Sequence, residues 1–371
     1  MSVYWNEKTR QLQPYIPGEQ PRDRKYIKLN TNENPYPPSP KVIEAIQKAA
    51  NERLKLYPDP TCLELRETIA ARFGFKAEEV FAGNGSDEIL AFAFASCFET
   101  GDREKLLLFP DITYSFYPVY AKLWDIPFAQ IPVKDDFSVD SGVYLEMISQ
   151  GKSSGIIFSN PNAPTGIAIT LEELRKTAAA LEKHKQVLIV DEAYIAFADE
   201  KDTGTAIPLL KEFPNLLIVR TLSKEASLAG LRAGYAIGSE ELIEGLCRIR
   251  DCFNSYTMDR LALEGASAAI RDAAYYKEIN SRVIATRRRV ASQLKALGFN
   301  VLPSQSNFLF AAPPAEKGKS GQEFFTALRE RGILVRHFNK PRIADFLRIS
   351  MGTDEEMDTF LSACGEIINK K

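Results

Sequence analysis

The feature that most limits the fold of this chain is a series of short apolar runs, each followed by a stretch with helical spacing. Between about residues 60 and 250 these runs are EEVFAG, KLLLFP, FAQIPV, SGIIFSN, QVLIVDE, NLLIVRT and AGYAIG. Continuous apolar runs with little alternation are typical of strands that are covered on both faces. Strands that alternate with helices indicate a layered α/β domain.

The flanking regions have a different character. Residues 1–40 are rich in proline, which indicates an extended arm, and a helix is predicted from about residue 40 to 54. After about residue 255 a long charged helix is followed by short strands and two more helices, as in a compact α+β unit. We predict an arm at 1–40 that packs with the small domain, a large domain at 41–255 and a small domain at 256–371.

Composition argues against several classes of protein. The net charge is −2 and no block of like charge occurs, so nothing indicates binding to nucleic acid or to a membrane surface. The chain has two histidines, His184 and His337, and its five cysteines contain no CxxC pair, which argues against a metal site and a disulfide framework. No long apolar run and no start of signal-peptide type occurs, so we expect a cytoplasmic protein.

Polar residues follow several of the predicted strands. They form the segments Asn84–Glu88, Asp111–Tyr114, Asn160–Gly166, Asp191–Tyr194 and Leu222–Lys224. Ligands of layered α/β sheets bind outside the carboxyl ends of the strands. We therefore expect these segments to converge on one edge of the sheet.

Each of these features alone has an ordinary structural explanation. The turn Gly85-Ser86-Asp87 before a helix suits a phosphate, but it also suits a plain helix cap. Asp191 at the end of a buried strand requires a cation or hydrogen-bond donors, which a structural ion pair would also supply. Lys224 is either a surface lysine or a nucleophile. In the second case, a pocket of low dielectric constant would lower the pKa of its amine.

One cofactor, pyridoxal 5'-phosphate (PLP), uses such a set together. It needs a lysine for its aldehyde carbon, an acid for its ring nitrogen, a donor for its ring oxygen, an aromatic face and a phosphate cup. The candidates in that order are Lys224, Asp191, Tyr194, Tyr114, and the Gly85–Asp87 turn with Ser223 and Arg232. Their common position after the strands makes PLP the predicted cofactor.

Over nearly its whole length the chain resembles the fold-type I PLP-dependent aminotransferases. The segments that carry the resemblance are KLNTNENPYPP, YPDP, GNGSDE, PDITYSFY, NPNAPTG, VDEAYIAF, RTLSKEASLAGLRAGY, PSQSNFLF, GILVRHF and LRISMGT. It implies a fold-type I α/β architecture, with a large, mostly parallel-sheet α/β/α domain and a smaller α+β domain. The most similar branch acts on histidinol phosphate. This implies transamination between histidinol phosphate and 2-oxoglutarate, giving imidazole-acetol phosphate and glutamate in histidine biosynthesis.

The resemblance also implies a role for each matching residue. Lys224 would carry the cofactor as a Schiff base and shuttle the proton, Asp191 would keep the ring nitrogen protonated, and Tyr194 would donate to the ring oxygen. Ser86, Asp87, Ser223 and Arg232 would surround the phosphate, Tyr114 would stack on the ring, Arg336 and Arg348 would bind the anionic end of the substrate, and Asn34 and Tyr36 would close over it. Tyr57 would reach the phosphate in the partner subunit, which implies a homodimer with shared active sites.

The chain departs from the family pattern at one position. The usual motif is NPNNPTG, and its second asparagine contacts the ring oxygen of the cofactor. Here Ala163 occupies that position. We expect either that the adjacent Asn162 takes over the contact or that Tyr194 acts without it.

Three other functions fit the cofactor residues. An aromatic or other amino-acid aminotransferase of the same branch would keep all of them. So would a threonine-phosphate decarboxylase, which would also use the two arginines. A regulator that binds PLP as a ligand would need a DNA-binding module, and no helix-turn-helix segment precedes the arm.

Overall fold

The computed structural model describes residues 3–199, 203–314 and 320–369. In these ranges the helices are α1 (Glu7–Gln11), α2 (Pro40–Ala49), α3 (Leu63–Phe73), α4 (Ser86–Cys97), α5 (Tyr117–Leu123), α6 (Ser141–Ser149), α7 (Leu171–Glu182), α8 (Leu222–Glu225), α9 (Glu240–Phe253), α10 (Arg260–Arg271), α11 (Ala273–Ala296), α12 (Gly321–Glu330) and α13 (Asp354–Asn369). The strands are β1 (Ile27–Lys28), β2 (Val80–Gly83), β3 (Leu106–Pro110), β4 (Phe128–Ile131), β5 (Ser153–Ser159), β6 (Val187–Asp191), β7 (Leu216–Thr221), β8 (Gly234–Ile237), β9 (Asn300–Val301), β10 (Phe308–Ala312), β11 (Ile333–Leu334), β12 (Arg336–His337) and β13 (Leu347–Ser350).

The strands that the apolar runs predict form one central sheet. Its strand order is β2-β8-β7-β6-β5-β3-β4, and all neighbours are parallel except β8, which is antiparallel to both β2 and β7. Apolar side chains cover both faces, one cluster including Ile156 and Val190 and the other Ile157 and Ile189. The α/β prediction is confirmed, and β5, β6 and β7 bring their carboxyl ends to the same edge.

The last third of the chain contains a second, antiparallel sheet of order β12-β13-β10-β9. Its buried residues Phe308 and Ile349 belong to a core cluster with residues of α11, α12 and α13. A capping box between Ser320 and Glu323 starts α12, and the apolar face of that helix is buried at Phe324. This part is the predicted α+β unit.

The N-terminal arm contacts both units. Its strand β1 pairs in parallel with β11, and Glu19 forms an ion pair with Arg329 of α12 at 3.0 Å. On the other side, the ring of Tyr15 stacks on Phe116, with ring centroids 4.5 Å apart. The arm therefore lies across the groove between the central sheet and the small sheet.

The packing of α10 bears on the domain division. Ala262, Ala266 and Ile270 of this helix are buried in the core cluster of the central sheet, where α10 contacts α2 and α3. Along α11, Ile279 still belongs to that cluster, whereas Val283 belongs to the core of the small sheet. The division at residues 255 and 256 stays a prediction, and this packing favours a boundary within α11.

A buried ion pair joins the ends of β6 and β7. Arg220 donates to the Glu192 carboxylate from Nη2 at 2.8 Å, and both side chains are almost completely buried. The backbone N–H of Ala206 and the hydroxyl of Thr205 donate to the same carboxylate. Such a fully bonded pair fixes the two strand ends from which Asp191 and Lys224 project.

No helix in the described ranges has the length and apolar character needed to cross a lipid bilayer.

Candidate active site

A pocket opens where β5, β6 and β7 end, between the central sheet, the small sheet and the arm. Predicted site residues that line it are Ser86, Asp87, Tyr114, Asp191, Tyr194, Ser223, Lys224, Arg232, Arg336 and Arg348. Residues that the sequence did not single out also line it, namely Tyr15, Gly18, Asn30, Thr31, Asn32, Ser159, Ala193, Thr221 and Ala229. The fold therefore brings most of the predicted set into one place.

Lys224 lies one turn beyond the end of β7. The Thr221 hydroxyl accepts a hydrogen bond from the Ser223 N–H and starts α8, so Lys224 follows the strand with little freedom. Its Nζ donates to the Thr31 carbonyl of the arm at 3.1 Å. Burial lowers the pKa of Lys224 to about 8 because a charged ammonium is poorly solvated in the pocket. A lysine with this pKa is neutral often enough near neutral pH to act as a nucleophile or a base.

Asp191, the last residue of β6, is the acid of the pocket. The Tyr117 hydroxyl donates to its Oδ2 at 2.9 Å, and the Ala193 N–H donates to its Oδ1 at 3.2 Å. Complete burial raises the pKa of Asp191 to about 7, although these two donors act in the opposite direction. Tyr117 is itself completely buried, and its ring packs against Phe109. A cation placed next to this carboxylate would therefore be strongly favoured.

The start of α4 has the features that an anion site requires. No side chain caps the first N–H groups of this helix, because its N-cap is Gly85. Gly85 has a φ of +81°, and a Cβ there would lie 2.6 Å from Nη2 of Arg232. The guanidinium of Arg232 reaches this turn, 3.6 Å from Asp87, and donates to the Ser223 hydroxyl at 3.4 Å. N–H groups, a hydroxyl and a guanidinium thus converge as a phosphate group requires.

Two arginines that line the pocket are paired across adjacent strands of the small sheet. Arg336 of β12 and Arg348 of β13 are direct cross-strand neighbours in an antiparallel pair. Like charges in this position repel each other, so they favour an anion between them. Nη2 of Arg348 donates to the Asn30 carbonyl at 3.0 Å, whereas its buried Nε has no hydrogen-bond partner. Arg336 donates to the carbonyls of Ile16 and Pro17 in the arm.

Aromatic rings form one wall of the pocket. The Tyr114 hydroxyl donates to Asp87 at 2.8 Å, which holds its ring beside the start of α4. The ring of Tyr15 lies 6.5 Å from that of Tyr114, between centroids, and both residues line the pocket. These rings can cover a flat heteroaromatic group held between Lys224 and the phosphate site.

Some predicted residues do not line this pocket. The Asn162 amide is buried and committed elsewhere: its Nδ2 donates to the Ile112 carbonyl and to Thr165, and its Oδ1 accepts from Thr113. The geometry therefore does not support the prediction that Asn162 replaces the asparagine missing at position 163.

Three other predicted residues lie around the pocket rather than in it. Asn34 donates to the Lys224 carbonyl and to Asn280, which fastens the arm next to the pocket. Tyr36 lies under the guanidinium of Arg282 at 4.0 Å. Tyr57 is 79% exposed and stacks on Tyr256, outside the pocket of its own chain. Their assignments remain predictions.

The residues of this chain fit PLP. A lysine of lowered pKa, an acid of raised pKa and an uncapped helix start with a guanidinium line the same pocket. Gly85 leaves that helix start open, and its Cβ-free backbone is required there by both its φ and its contacts. The aldehyde, the ring nitrogen and the phosphate of the cofactor each have a matching partner.

Comparison with known proteins agrees with this fit. The sequence model of the family described as "Aminotransferase class I and II" matches residues 24–363. A histidinol-phosphate aminotransferase of Clostridium acetobutylicum is 51% identical, with 99% of this chain and 100% of the relative covered. One from a Marinomonas species is 50% identical, covering 98% and 99%. A crystal structure of the histidinol-phosphate aminotransferase of Sinorhizobium meliloti, in complex with pyridoxal-5'-phosphate, superposes with a TM-score of 0.87 at 25% identity, covering 99% and 98%.

The raised pKa of Asp191 predicts a pH-dependent stability of the cofactor-free protein. Its folded-state pKa of about 7 exceeds the ordinary value of 3.8, so its contribution to stability falls as the pH rises from 3.8 towards 7. Asp191→Asn removes this ionisation. We expect the melting temperature of the cofactor-free variant to exceed that of the wild type by about 2 °C or more at pH 8, and by less at pH 5. Equal shifts at both pH values, measured by calorimetry, would contradict the assignment.

Proposed function

The chain belongs to the class I and II aminotransferase family, and we propose that it is the PLP-dependent transaminase that interconverts histidinol phosphate and imidazole-acetol phosphate, with 2-oxoglutarate and glutamate as the other pair. The observation that carries the substrate assignment is the cross-strand pair Arg336 and Arg348, which lines the same pocket as Lys224. Both amino donors of this reaction, histidinol phosphate and glutamate, have an anionic end that two guanidinium groups can bind. The reaction is a step of histidine biosynthesis, and we place it in the cytoplasm.

Each pocket residue would hold one part of the cofactor or the substrate. Bound PLP supplies an electron sink for the negative charge that develops at the substrate carbon. Asp191 would keep the proton on the ring nitrogen, and its burial makes this ion pair strong. The start of α4, with Ser223 and Arg232, would hold the phosphate.

Lys224 would carry out the proton transfer. Its amine would hold the aldehyde carbon of the cofactor and, once released, would move a proton at the amino-bearing carbon of the substrate. The lowered pKa of Lys224 suits both roles, because an amine that is always protonated could neither attack nor accept a proton. The aromatic wall of Tyr15 and Tyr114 would exclude water from this proton.

We also propose that the protein is a homodimer whose two active sites are shared. Leu54, Leu56 and Tyr57 are exposed on one segment, and Phe253 and Tyr256 on another. The stacked rings of Tyr57 and Tyr256 join these segments into one apolar surface. An apolar surface of this kind is typical of an interface, and a dimer that covered it would bring Tyr57 close to the partner subunit.

The substrate assignment is tested by amino-group donation without any keto acid. The PLP-loaded protein is titrated with L-histidinol phosphate, L-phenylalanine and L-threonine phosphate, and the visible band of the cofactor is followed. We expect histidinol phosphate to remove the band at far lower concentration than the other two. A stronger response to phenylalanine, or release of carbon dioxide from threonine phosphate, would contradict the assignment and leave the cofactor site intact.

The arginine pair predicts a separation of substrate binding from cofactor binding. Arg348→Met removes a charge-assisted contact to the anionic end, so KM for histidinol phosphate should rise by about 10- to 100-fold. The dissociation constant of PLP should stay near that of the wild type. Arg348→Lys keeps the positive charge but cannot form two parallel hydrogen bonds. Its KM for histidinol phosphate should therefore lie between the value of the wild type and that of Arg348→Met. Loss of PLP in proportion to the loss of substrate affinity would contradict this role.

Shared active sites predict complementation between two inactive variants. Tyr57→Ala and Lys224→Ala are mixed under conditions that exchange subunits. Random exchange makes about half of the dimers hybrid, each with one intact site, so activity should recover to about a quarter of the wild-type value. A control mixture of Lys224→Ala with the double variant Tyr57→Ala/Lys224→Ala should stay inactive. No recovery in the first mixture would show that Tyr57 does not act across an interface.

A further inference from the structure

The loop after β5 leaves the Tyr194 hydroxyl without a polar neighbour from that loop. Ala163 is buried in the same apolar cluster as Tyr194, and its side chain has no polar atom. Nδ2 of Asn162 donates to Ile112 and Thr165, and its Oδ1 accepts from Thr113. A polar group that fixes the direction of the Tyr194 hydroxyl must therefore come from another part of the chain.

That group comes from the arm. Nδ2 of Asn32 donates to the Tyr194 hydroxyl at 3.0 Å. Asn32 is 2% exposed and has a φ of +56°, a left-handed conformation that asparagine tolerates better than most residues. Its carbonyl accepts a hydrogen bond from Asn307 at 3.0 Å. The position of Asn32 is therefore fixed by its backbone as well as by its side chain.

The directions of these hydrogen bonds follow from the chemistry of the groups. The Asn32 backbone N–H can only donate, and it donates to Oγ of Ser350 at 2.9 Å. The Ser350 hydroxyl can then give its own proton to Oδ1 of Asn32, 2.8 Å away. This makes Oδ1 the acceptor end of the amide and leaves the NH₂ end to face Tyr194. The Tyr194 oxygen accepts, so its own proton is free for the pocket.

We propose that Asn32 is a positioning residue for Tyr194: held by Ser350, it orients the Tyr194 hydroxyl so that the hydroxyl donates its proton into the pocket. Asn32 thereby supplies, from the arm, a polar contact to the Tyr194 hydroxyl. The apolar side chain of Ala163 cannot make such a contact. The proposal rests on the PLP assignment under the proposed function, but not on the identity of the substrate.

The arrangement joins three parts of the molecule at one hydroxyl. Asn32 belongs to the arm, Ser350 and Asn307 belong to the small domain, and Tyr194 follows β6 of the central sheet. The Tyr194 hydroxyl is thus oriented only while the arm and the small domain are both in place. Removing any one of the three contacts should loosen that orientation to a different degree.

The pH at which the visible band of the bound cofactor changes reports on this hydroxyl. When the nitrogen next to the cofactor ring loses its proton, negative charge is left on the ring oxygen. A hydrogen bond donated by the Tyr194 hydroxyl stabilises that charge. The other titratable and charged groups that act on Tyr194 are Arg348, Asp191 and Tyr15, with Lys224 lining the same pocket. None of these is altered by a neutral substitution at position 32 or 350.

Two neutral variants test the proposal. Asn32→Gly keeps the left-handed backbone but removes the amide, and Ser350→Ala frees the amide to turn its oxygen towards Tyr194. We expect each to raise the pH midpoint of the band change, by about one unit for Asn32→Gly. Asn307→Ala, the matched control, removes a contact to the same arm residue without freeing its amide and should shift the midpoint far less.

The decisive comparison repeats the first two variants in a Tyr194→Phe background. There the midpoint should start high, and neither Asn32→Gly nor Ser350→Ala should raise it further. An equal shift in both backgrounds, or a shift by Asn307→Ala as large as that by Ser350→Ala, would overturn the proposal, because the effect would then come from a loosened arm. A wild-type protein with no visible band would instead contradict the PLP assignment.

Discussion

Two ionisable groups of opposite sign are buried at the ends of adjacent strands, and the architecture of the site follows from the free energy needed to keep them there. Burial raises the pKa of Asp191 to about 7 and lowers that of Lys224 to about 8, so each group is held in an environment that disfavours its charge. Shifts of this size correspond to several kcal/mol in total. A ligand that offers Asp191 a cationic nitrogen and Lys224 an electrophilic carbon relieves both. The neighbouring ion pair of Arg220 and Glu192 holds the ends of β6 and β7 together.

The arm is the element that closes the site. It supplies the Thr31 carbonyl to Lys224, the Asn32 amide to Tyr194 and the Asn30 carbonyl to Arg348. Because β1 pairs with β11, which lies between α12 and β12, these contacts depend on the position of that part of the chain. The three side chains, for which we propose roles in binding the cofactor and the substrate, are thus linked through a segment that has almost no regular secondary structure.

The sequence predicted the central sheet and the residues at its carboxyl edge, because continuous apolar runs and the polar residues after them report directly on buried strands. It did not predict Asn32 or Tyr15, since a proline-rich arm has no periodicity that would show which of its residues point inwards. Tyr117 was missed for a different reason: it shares the segment PDITYSFY with Tyr114, and only the fold shows that its hydroxyl reaches Asp191. Asn162 was given a role in the site from its neighbourhood alone, whereas its amide connects its own loop, at Thr165, to Ile112 and Thr113 in the loop after β3. The domain division was placed before α10 because the charged pattern changes there, but α10 packs on the central sheet.

Lys224 is the residue that we propose holds the cofactor. The most direct measurement is borohydride reduction of the PLP-loaded protein, followed by proteolysis and mass spectrometry to find the modified lysine. We expect one modified residue, Lys224, and no stable modification in the Lys224→Ala variant. Stable modification of any other lysine in the wild-type protein, with Lys224 unmodified, would contradict it.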